Sequence, residues 1–383
     1  MNHNDNFDEN KNTVSSDPAE IHRDAVKSNV DMKEYLKHQV SLLLLAFFGF
    51  GYISPLSYVF GIWSSASIVS RLIRKPSPFV FAGTLIGFVL SLFKSVSTES
   101  IFMLLFYLLP VIPLYLCTLR CTGVKISGYK GFCGENGVLT EYKPNDYSKT
   151  LTAGVMSAVY FALFAFAFAL SVISFKGTFG IEAVKDYVNS FMDLLYSASE
   201  EIIASMNTGV EEAVSTETIK QAIQTMYLLS VSFIAVLCFS CGYFSTVFFK
   251  MSLRSAGVLE KVFPCGYKLK ISFVSAVVYI LICTFHLFLT FGNDAEMYFV
   301  FYNLKIIITH IFLAYGFERA MEFLEERSEV YGGYFKVTAI IAALMLSMLL
   351  YSILPPLGVL YIIRNTMNSL KKKFEDGADD DDE

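Results

Sequence analysis

Long apolar runs constrain this chain more than any other feature of its sequence. Eight runs follow a polar leader, and the longer ones exceed the ~20 residues that a helix needs to cross a bilayer. Backbone groups in lipid must be hydrogen-bonded within the spanning structure itself, which favours helices. The predicted spans are 39–53, 56–70, 78–93, 101–119, 151–175, 226–249, 271–291 and 298–317.

The composition supports the same fold class. Hydrophobic residues make up 54% of the chain and charged residues 17%, against ~25% charged residues in an ordinary soluble domain. We therefore predict an all-α, polytopic integral membrane helical bundle, and we exclude a soluble globular enzyme and a fibrous protein. The net charge of −5 argues against a nucleic-acid partner. The first partner that the sequence implies is the lipid bilayer.

The distribution of basic residues predicts the orientation of the chain in the membrane. With a cytoplasmic amino terminus and eight alternating full spans, 21 of the 30 Lys and Arg residues lie on the cytoplasmic side and four on the other side. We therefore predict a multi-pass protein of the cell membrane with a cytoplasmic amino terminus. The polar cytoplasmic leader, 1–37, is predicted to be disordered, with a short helix around 25–36.

The carboxyl-terminal end of the chain leaves two topologies open. A last apolar run, 337–363, contains Pro355-Pro356, which predicts a kink or a break in the helix. The run either crosses once or turns back as a re-entrant segment, and we favour the turn because it places the lysines near 371 on the cytoplasmic side. The acidic tail, 371–383, is predicted to be disordered and solvated. The membrane domain is thus 38–370.

One long polar segment, 176–221, separates the fifth and sixth runs. It holds eight acidic residues and three lysines, so we predict that it lies outside the membrane. Its apolar residues recur at three- and four-residue steps, which predicts amphipathic helices with a break at Asn207-Thr208-Gly209. Two interpretations stay open, an ordinary helix pair that joins two spans and a lid over a substrate cavity.

Polar groups within the apolar runs are the candidate cavity-lining residues, namely His286, Asn303, Lys305 and His310. Such groups are expensive in a bilayer, and they mark binding sites or proton paths. We predict that both histidines face the bundle interior, where they either line one cavity or serve as hydrogen-bonded packing contacts. Lys305 is predicted to extend toward the outer face or to pair with Asp294 or Glu296.

Other short motifs favour helix packing over chemistry. Gly83 and Gly87 form a G-x-x-x-G pattern, which predicts a close contact with another helix. Cys238 and Cys241 form a C-x-x-C pattern, but a second ligand pair for zinc and a thioredoxin-like context are both missing, so we predict packing. The sequence has no P-loop, H-E-x-x-H or G-x-S-x-G motif. We therefore predict no catalytic residue, no cofactor and no metal, and we disfavour an enzyme.

Three blocks in the second half of the chain carry a family resemblance. They are 226–279 with Phe263-Pro264, 303–318 with Tyr315-Gly316, and 354–364, which reads Leu-Pro-Pro-Leu-Gly-Val-Leu-Tyr-Ile-Ile-Arg. In these blocks the chain resembles the YybS-like family of predicted bacterial polytopic membrane proteins, a domain of unknown function. The resemblance implies a membrane domain that is similar in general look to the substrate-binding components of vitamin transporters, and it implies no established activity.

Two functions stay open at the level of the sequence. A transport-type or substrate-binding component, which takes a small-molecule substrate, is favoured by short spans rich in Gly and aromatic residues. A non-catalytic scaffold that recruits a membrane or cytoplasmic protein partner is favoured by the scarcity of polar residues in the spans. A transporter should have a polar cavity near the midplane that holds His286 and His310, whereas a scaffold should have a dry interior. The sequence specifies no substrate, coupling ion or oligomeric state.

Overall fold

The computed structural model describes residues 18–50, 55–74, 77–93, 98–121, 147–206, 216–263, 266–292, 295–331 and 347–378. Within these ranges the chain forms helices and no strand, which confirms the predicted all-α fold. The α-helices are α1 (Pro18–Phe50), α2 (Pro55–Arg74), α3 (Ala82–Leu92), α4 (Thr98–Leu108), α5 (Val111–Cys121), α6 (Ser148–Lys176), α7 (Ile181–Met206), α8 (Thr216–Leu228), α9 (Ser230–Ser255), α10 (Leu259–Val262), α11 (Phe273–Thr290), α12 (Ala295–Tyr331) and α13 (Ser347–Ala378). A 3-10 turn, Pro78–Phe81, precedes α3.

Six helical segments in the described part of the chain are long and apolar enough to cross a bilayer. They lie in α2, in α4 and α5 taken together, and in α6, α9, α11 and α12. Each corresponds to one of the eight predicted spans, and together they identify a multi-pass membrane protein.

The other two predicted spans form helical segments whose apolar parts are short for a bilayer. The apolar part of α1, 39–50, extends about 18 Å, and the apolar segment Pro78–Leu92 extends about 22 Å at the usual helical rise. Both lengths fall below the ~30 Å of the hydrocarbon core. The prediction of eight full spans is therefore not confirmed, and the described residues support six.

Helices α1 and α3 contact each other through the G-x-x-x-G motif, as predicted. The Gly83 N–H donates a hydrogen bond to the Gln39 side chain at 2.8 Å. A Cβ at Gly87 would lie 2.6 Å from the Ala46 Cβ and 2.9 Å from the Leu43 carbonyl oxygen. Only glycine permits so close an approach of α3 to α1.

Replacing Gly87 with leucine tests this contact. We expect the variant to lose ~1–3 kcal/mol of unfolding free energy, because the new side chain overlaps α1. The measurement is denaturation of the purified protein in detergent micelles. The control is Leu85→Val on the exposed side of α3, which should change stability by less than ~0.5 kcal/mol. A Gly87→Leu variant as stable as its control would contradict the contact.

The helices pack as two groups on either side of α9. The first lobe contains α1 to α6 and one face of α9, which contributes the buried Cys238 and Phe249. The second lobe contains α11, α12 and α13 and the face of α9 that carries Tyr243. Tyr267 belongs to the first cluster and Leu269 to the second, so the segment between α10 and α11 passes from one lobe to the other.

Both ends of the described chain are more helical than the sequence predicts. Helix α1 begins at Pro18 and continues into the first apolar run, so the described part of the leader, 18–37, is helical. Glu34 anchors this part to α2, because its carboxylate lies 2.6 Å from Arg74 and 3.5 Å from Arg71. Helix α13 likewise includes 371–378 of the tail. The remaining leader and tail residues lie outside the described ranges.

The prediction of a break at Pro355-Pro356 is wrong. Helix α13 runs through both prolines without interruption, so the chain does not turn back there. Packing against α12 overrides the local preference of proline, because Gly316 lies so close to Leu354 that a Cβ would overlap its carbonyl oxygen. The first part of the run, 337–346, lies outside the described residues.

The polar segment after α6 forms two helices, as predicted. Helix α7 ends at Met206, immediately before the predicted break, which itself lies outside the described residues, and α8 follows at Thr216. Tyr187 of α7 packs against Phe168 and Phe175 of α6, and Asp186 pairs with Lys176 at 2.9 Å. Neither helix is among the six span-length segments. The side of the membrane on which they lie stays a prediction.

Candidate functional site

A buried ion pair links the two lobes. The Lys149 Nζ lies 2.9 Å from the Glu318 Oε2, and the two side chains are only 2% and 6% exposed. Lys149 is in the first turn of α6, in the first lobe, and Glu318 is on α12, in the second lobe. The contact joins residues 169 positions apart in the sequence.

Two aromatic rings enclose the lysine of this pair. The Nζ atom lies 5.2 Å from the ring centroid of Tyr243 and 5.9 Å from that of Tyr267. The negative face of an aromatic ring attracts a cation at these distances. The ammonium therefore lies between one carboxylate and two rings.

The segment between α10 and α11 is held by side chains from both lobes. The Leu269 N–H donates to the Glu318 Oε1 at 3.2 Å, and the Leu269 carbonyl accepts from Arg319 at 2.9 Å. The Thr150 hydroxyl of α6 accepts from the Lys270 N–H and donates to the Lys270 carbonyl, both at 2.9 Å. Glu318 therefore satisfies a buried backbone donor in addition to its bond with the lysine.

Arg319 extends the charged cluster toward α13. Its guanidinium pairs with Glu322 at 2.5 Å, and it stacks 5.0 Å from the ring of Tyr315 and 5.1 Å from that of Tyr361. Lys268 pairs with the same Glu322 at 3.2 Å. The cluster thus connects α6, α12, α13 and the segment before α11 at one end of the bundle.

Sequence reasoning missed the central pair. Lys149 lies just before the predicted span 151–175, and Glu318 follows directly after the predicted span 298–317. The available signal was the order Glu318, Arg319, Glu322 at the end of an apolar helix, which places two acids and one base on adjacent turns.

Removing one partner of a buried ion pair typically costs 3–5 kcal/mol, whereas the intact pair adds little stability.

The structure brings two of the sequence-predicted residues together. His286 is 8% exposed, and its Nδ1 lies 3.3 Å from the Lys305 Nζ. Its ring lies 5.1 Å from that of Tyr298 and 5.0 Å from that of Tyr302. Lys305 forms no ion pair with a described carboxylate, and Glu296 is among those described. Asp294, the other predicted partner, lies outside the described residues.

The other two predicted residues have separate structural roles. Asn303 bridges the junction of α8 and α9, where it donates to the Leu228 carbonyl at 3.0 Å and accepts from the Ser232 N–H at 3.2 Å. His310 is partly buried, and its Nδ1 lies 2.8 Å from the Ile306 carbonyl oxygen while its ring meets Tyr351 of α13 edge-on. The two histidines therefore have different neighbours, and a cavity shared by all four residues stays a prediction.

The C-x-x-C residues pack as predicted. Cys238 and Cys241 are both buried and both free, and they lie in the apolar core of the first lobe. The described residues include no cluster of three or more His, Cys, Asp or Glu side chains that could hold a metal ion.

A surface cleft of about 520 Å³ lies between α7 and α8. Its lining includes Asp193, Glu200 and Glu217, and Lys220 pairs with Glu200 across it at 3.6 Å. None of the four predicted cavity residues lines this cleft. It is therefore separate from both the buried ion pair and the histidine contacts.

Comparison of the chain with protein-family models, with curated proteins and with solved structures gives no match. The function is therefore inferred from the chemistry of the residues themselves. The feature with the clearest chemical consequence is the buried pair, since ionisable groups in membrane helices mark functional sites by default.

Proposed function

We propose that this chain is a transport-type membrane protein that binds a small solute, and that the Lys149–Glu318 pair closes the junction between its two lobes. The observation that carries the proposal is the burial of one complete ion pair between two separately packed groups of helices. Apolar residues would hold the lobes together as well or better, so the charges need another reason to be there.

Opening of the junction supplies such a reason. Separation of α6 from α12 would admit water, which solvates both charges and offsets the loss of their attraction. The closed and open states then differ by a small free energy, whereas an apolar contact would disfavour the open state strongly. Such a two-state contact fits a protein that exposes a solute site to one side of the membrane at a time.

We further propose that this end of the bundle faces the cytoplasm of the cell and that the protein lies in the cell membrane. The support is the excess of basic residues in the segments that adjoin it. Lys149, Arg71 and Arg74 lie at the ends of helices, and Lys268 lies in the segment before α11. Arg319 lies on α12, directly after Glu318.

Cysteine accessibility tests the proposed opening. In a background without the seven native cysteines, a single cysteine replaces the buried Thr152, one turn along α6 from Lys149. We expect Glu318→Gln to raise the rate at which a membrane-impermeant maleimide modifies this cysteine at least about tenfold. A tenfold increase corresponds to a shift of ~1.4 kcal/mol toward the open state. The reagent should act from the cytoplasmic side, which inside-out and right-side-out vesicles distinguish.

The control is a cysteine at Thr84, which is fully buried on α3 and distant in the sequence from the pair. Its modification should not change with Glu318→Gln, because local opening leaves the α1–α3 contact intact. Equal increases at both positions would indicate general unfolding, and no increase at position 152 would contradict a gate. Modification from the outer side alone would overturn the orientation.

We also propose that the chain is a member of the YybS-like family. Two glycines in the resembling blocks, Gly316 and Gly358, lie at the crossing of α12 and α13. A Cβ at Gly358 would lie 3.2 Å from the Phe312 carbonyl oxygen. The close helix crossing requires glycine at Gly316 and favours it at Gly358, which supports the assignment of these two blocks to the family.

A scaffold function is the second candidate, and one observation favours it. Phe191 and Leu194 of α7 are 53% and 63% exposed, next to the acidic cleft. Exposed apolar residues with a polar rim are typical of protein contacts. The labelling experiment separates the two functions, since a scaffold does not need the junction to open.

A further inference from the structure

The contact between Lys305 and His286 has more hydrogen-bond donors than acceptors. A lysine ammonium has three donors and no acceptor, so the His286 Nδ1 at 3.3 Å must accept. The neutral imidazole then carries its hydrogen on Nε2. That atom is buried, and it has no hydrogen-bond partner among the described residues.

The surroundings supply aromatic faces and no described negative charge. Tyr298 and Tyr302 lie on successive turns of α12. The imidazole stacks with the Tyr302 ring and lies tilted against the Tyr298 ring. The described carboxylates that form ion pairs all pair with other cations. The ammonium and the imidazole N–H therefore lie together without a described acceptor beyond the contact between them.

We infer that Lys305 and His286 form a binding site for an oxyanion, a carboxylate or a phosphate, at the end of the bundle opposite the buried ion pair. An oxyanion supplies the missing negative charge and several acceptor oxygens. The lysine extends toward His286, which lies close to the end of α11, as expected for a side chain directed at the membrane surface. The inference goes beyond the proposed transport and does not require it.

The oxyanion has two sources, an anionic lipid headgroup or a small solute, and thermal unfolding distinguishes them. The purified full chain in detergent is titrated separately with short-chain phosphatidylglycerol, phosphatidylcholine, inorganic phosphate and acetate. A ligand that binds the folded state raises Tm, by about 3 °C when its concentration is well above Kd. We expect this rise with at least one anionic probe and none with phosphatidylcholine.

Variants assign the effect to the site. Lys305→Met and His286→Phe should each lose the rise, while Lys305→Arg, which keeps a cation, should retain it. The control is Lys220→Met, which removes an exposed lysine of α8 and should leave the rise unchanged. A rise with phosphatidylglycerol alone indicates a lipid, and a rise with phosphate or acetate indicates a solute.

Two results would overturn the inference. One is a wild-type Tm that none of the anionic probes changes, a result that does not depend on whether any variant folds. The other is an equal rise in the wild type and in both Lys305→Met and His286→Phe. Neither result bears on the Lys149–Glu318 gate, which the labelling experiment tests separately.

Discussion

Replacing Glu318 with glutamine is expected to destabilise the protein by about 3–5 kcal/mol. Glutamine keeps an oxygen for the Leu269 N–H, so the backbone contact is preserved. The loss comes from Lys149, whose ammonium loses its counter-charge in the closed junction, where the lysine side chain is 2% exposed. The two tyrosine rings retain only part of the stabilisation. The measurement is the free energy of unfolding in mixed micelles.

A double-mutant cycle isolates the interaction between the two charges. Lys149→Met alone should cost a similar amount, because it leaves a buried carboxylate, whereas Lys149→Met with Glu318→Gln should fall within ~1–2 kcal/mol of the wild type. The matched control is Asp186→Asn, which breaks an exposed ion pair of the same length and should cost ~0–1 kcal/mol. Additive losses in the double variant would contradict a buried pair.

The sequence predicts the positions of the span-length helices better than it predicts the number of full spans. Hydropathy locates the six span-length helices because each carries its own apolar surface, a local property. It does not distinguish the short apolar parts of α1 and α3 from full spans, because the hydropathy of a run does not show how deep the run lies in the membrane. The contacts at Gly83 and Gly87 show that α1 and α3 pack against each other, which the hydropathy of the two runs does not show.

The central ion pair could not be predicted from the sequence. Lys149 and Glu318 both stand at the ends of apolar runs, where charged residues are normally solvated at the membrane surface. Their burial depends on the segment before α11, which crosses from one lobe to the other and covers them. That crossing is a property of the tertiary fold and leaves no pattern in either run.

At the two prolines, tertiary packing overrides the local rule that proline interrupts a helix. Pro355 and Pro356 remove two helical donors, and the sequence therefore predicts a kink or a break, of which the break does not occur. The close approach of α12 compensates for that loss, since α12 and α13 meet at Gly316 and Gly358 and at the aromatic contacts of Arg319. The two glycines were visible in the sequence, but nothing there showed that they face each other's helix.

Gly316→Leu is expected to have the second-largest effect on stability, a loss of about 3 kcal/mol. Even a single Cβ at this position overlaps the Leu354 carbonyl oxygen, and that atom belongs to the backbone and cannot rotate away. A leucine would therefore push α13 away from α12 and would also separate Tyr361 from Arg319, which lies 5.1 Å from its ring.

The control for this variant is Gly154→Leu on α6, where a Cβ would meet no atom within 4 Å. Glycine is a poor helix former, so this control should be neutral or slightly stabilising. The comparison separates the loss of a helix contact from any general effect of leucine in a membrane helix. Protease sensitivity of α13 should rise in Gly316→Leu alone. Equal unfolding free energies of the two variants would mean that α13 does not pack on α12 through Gly316.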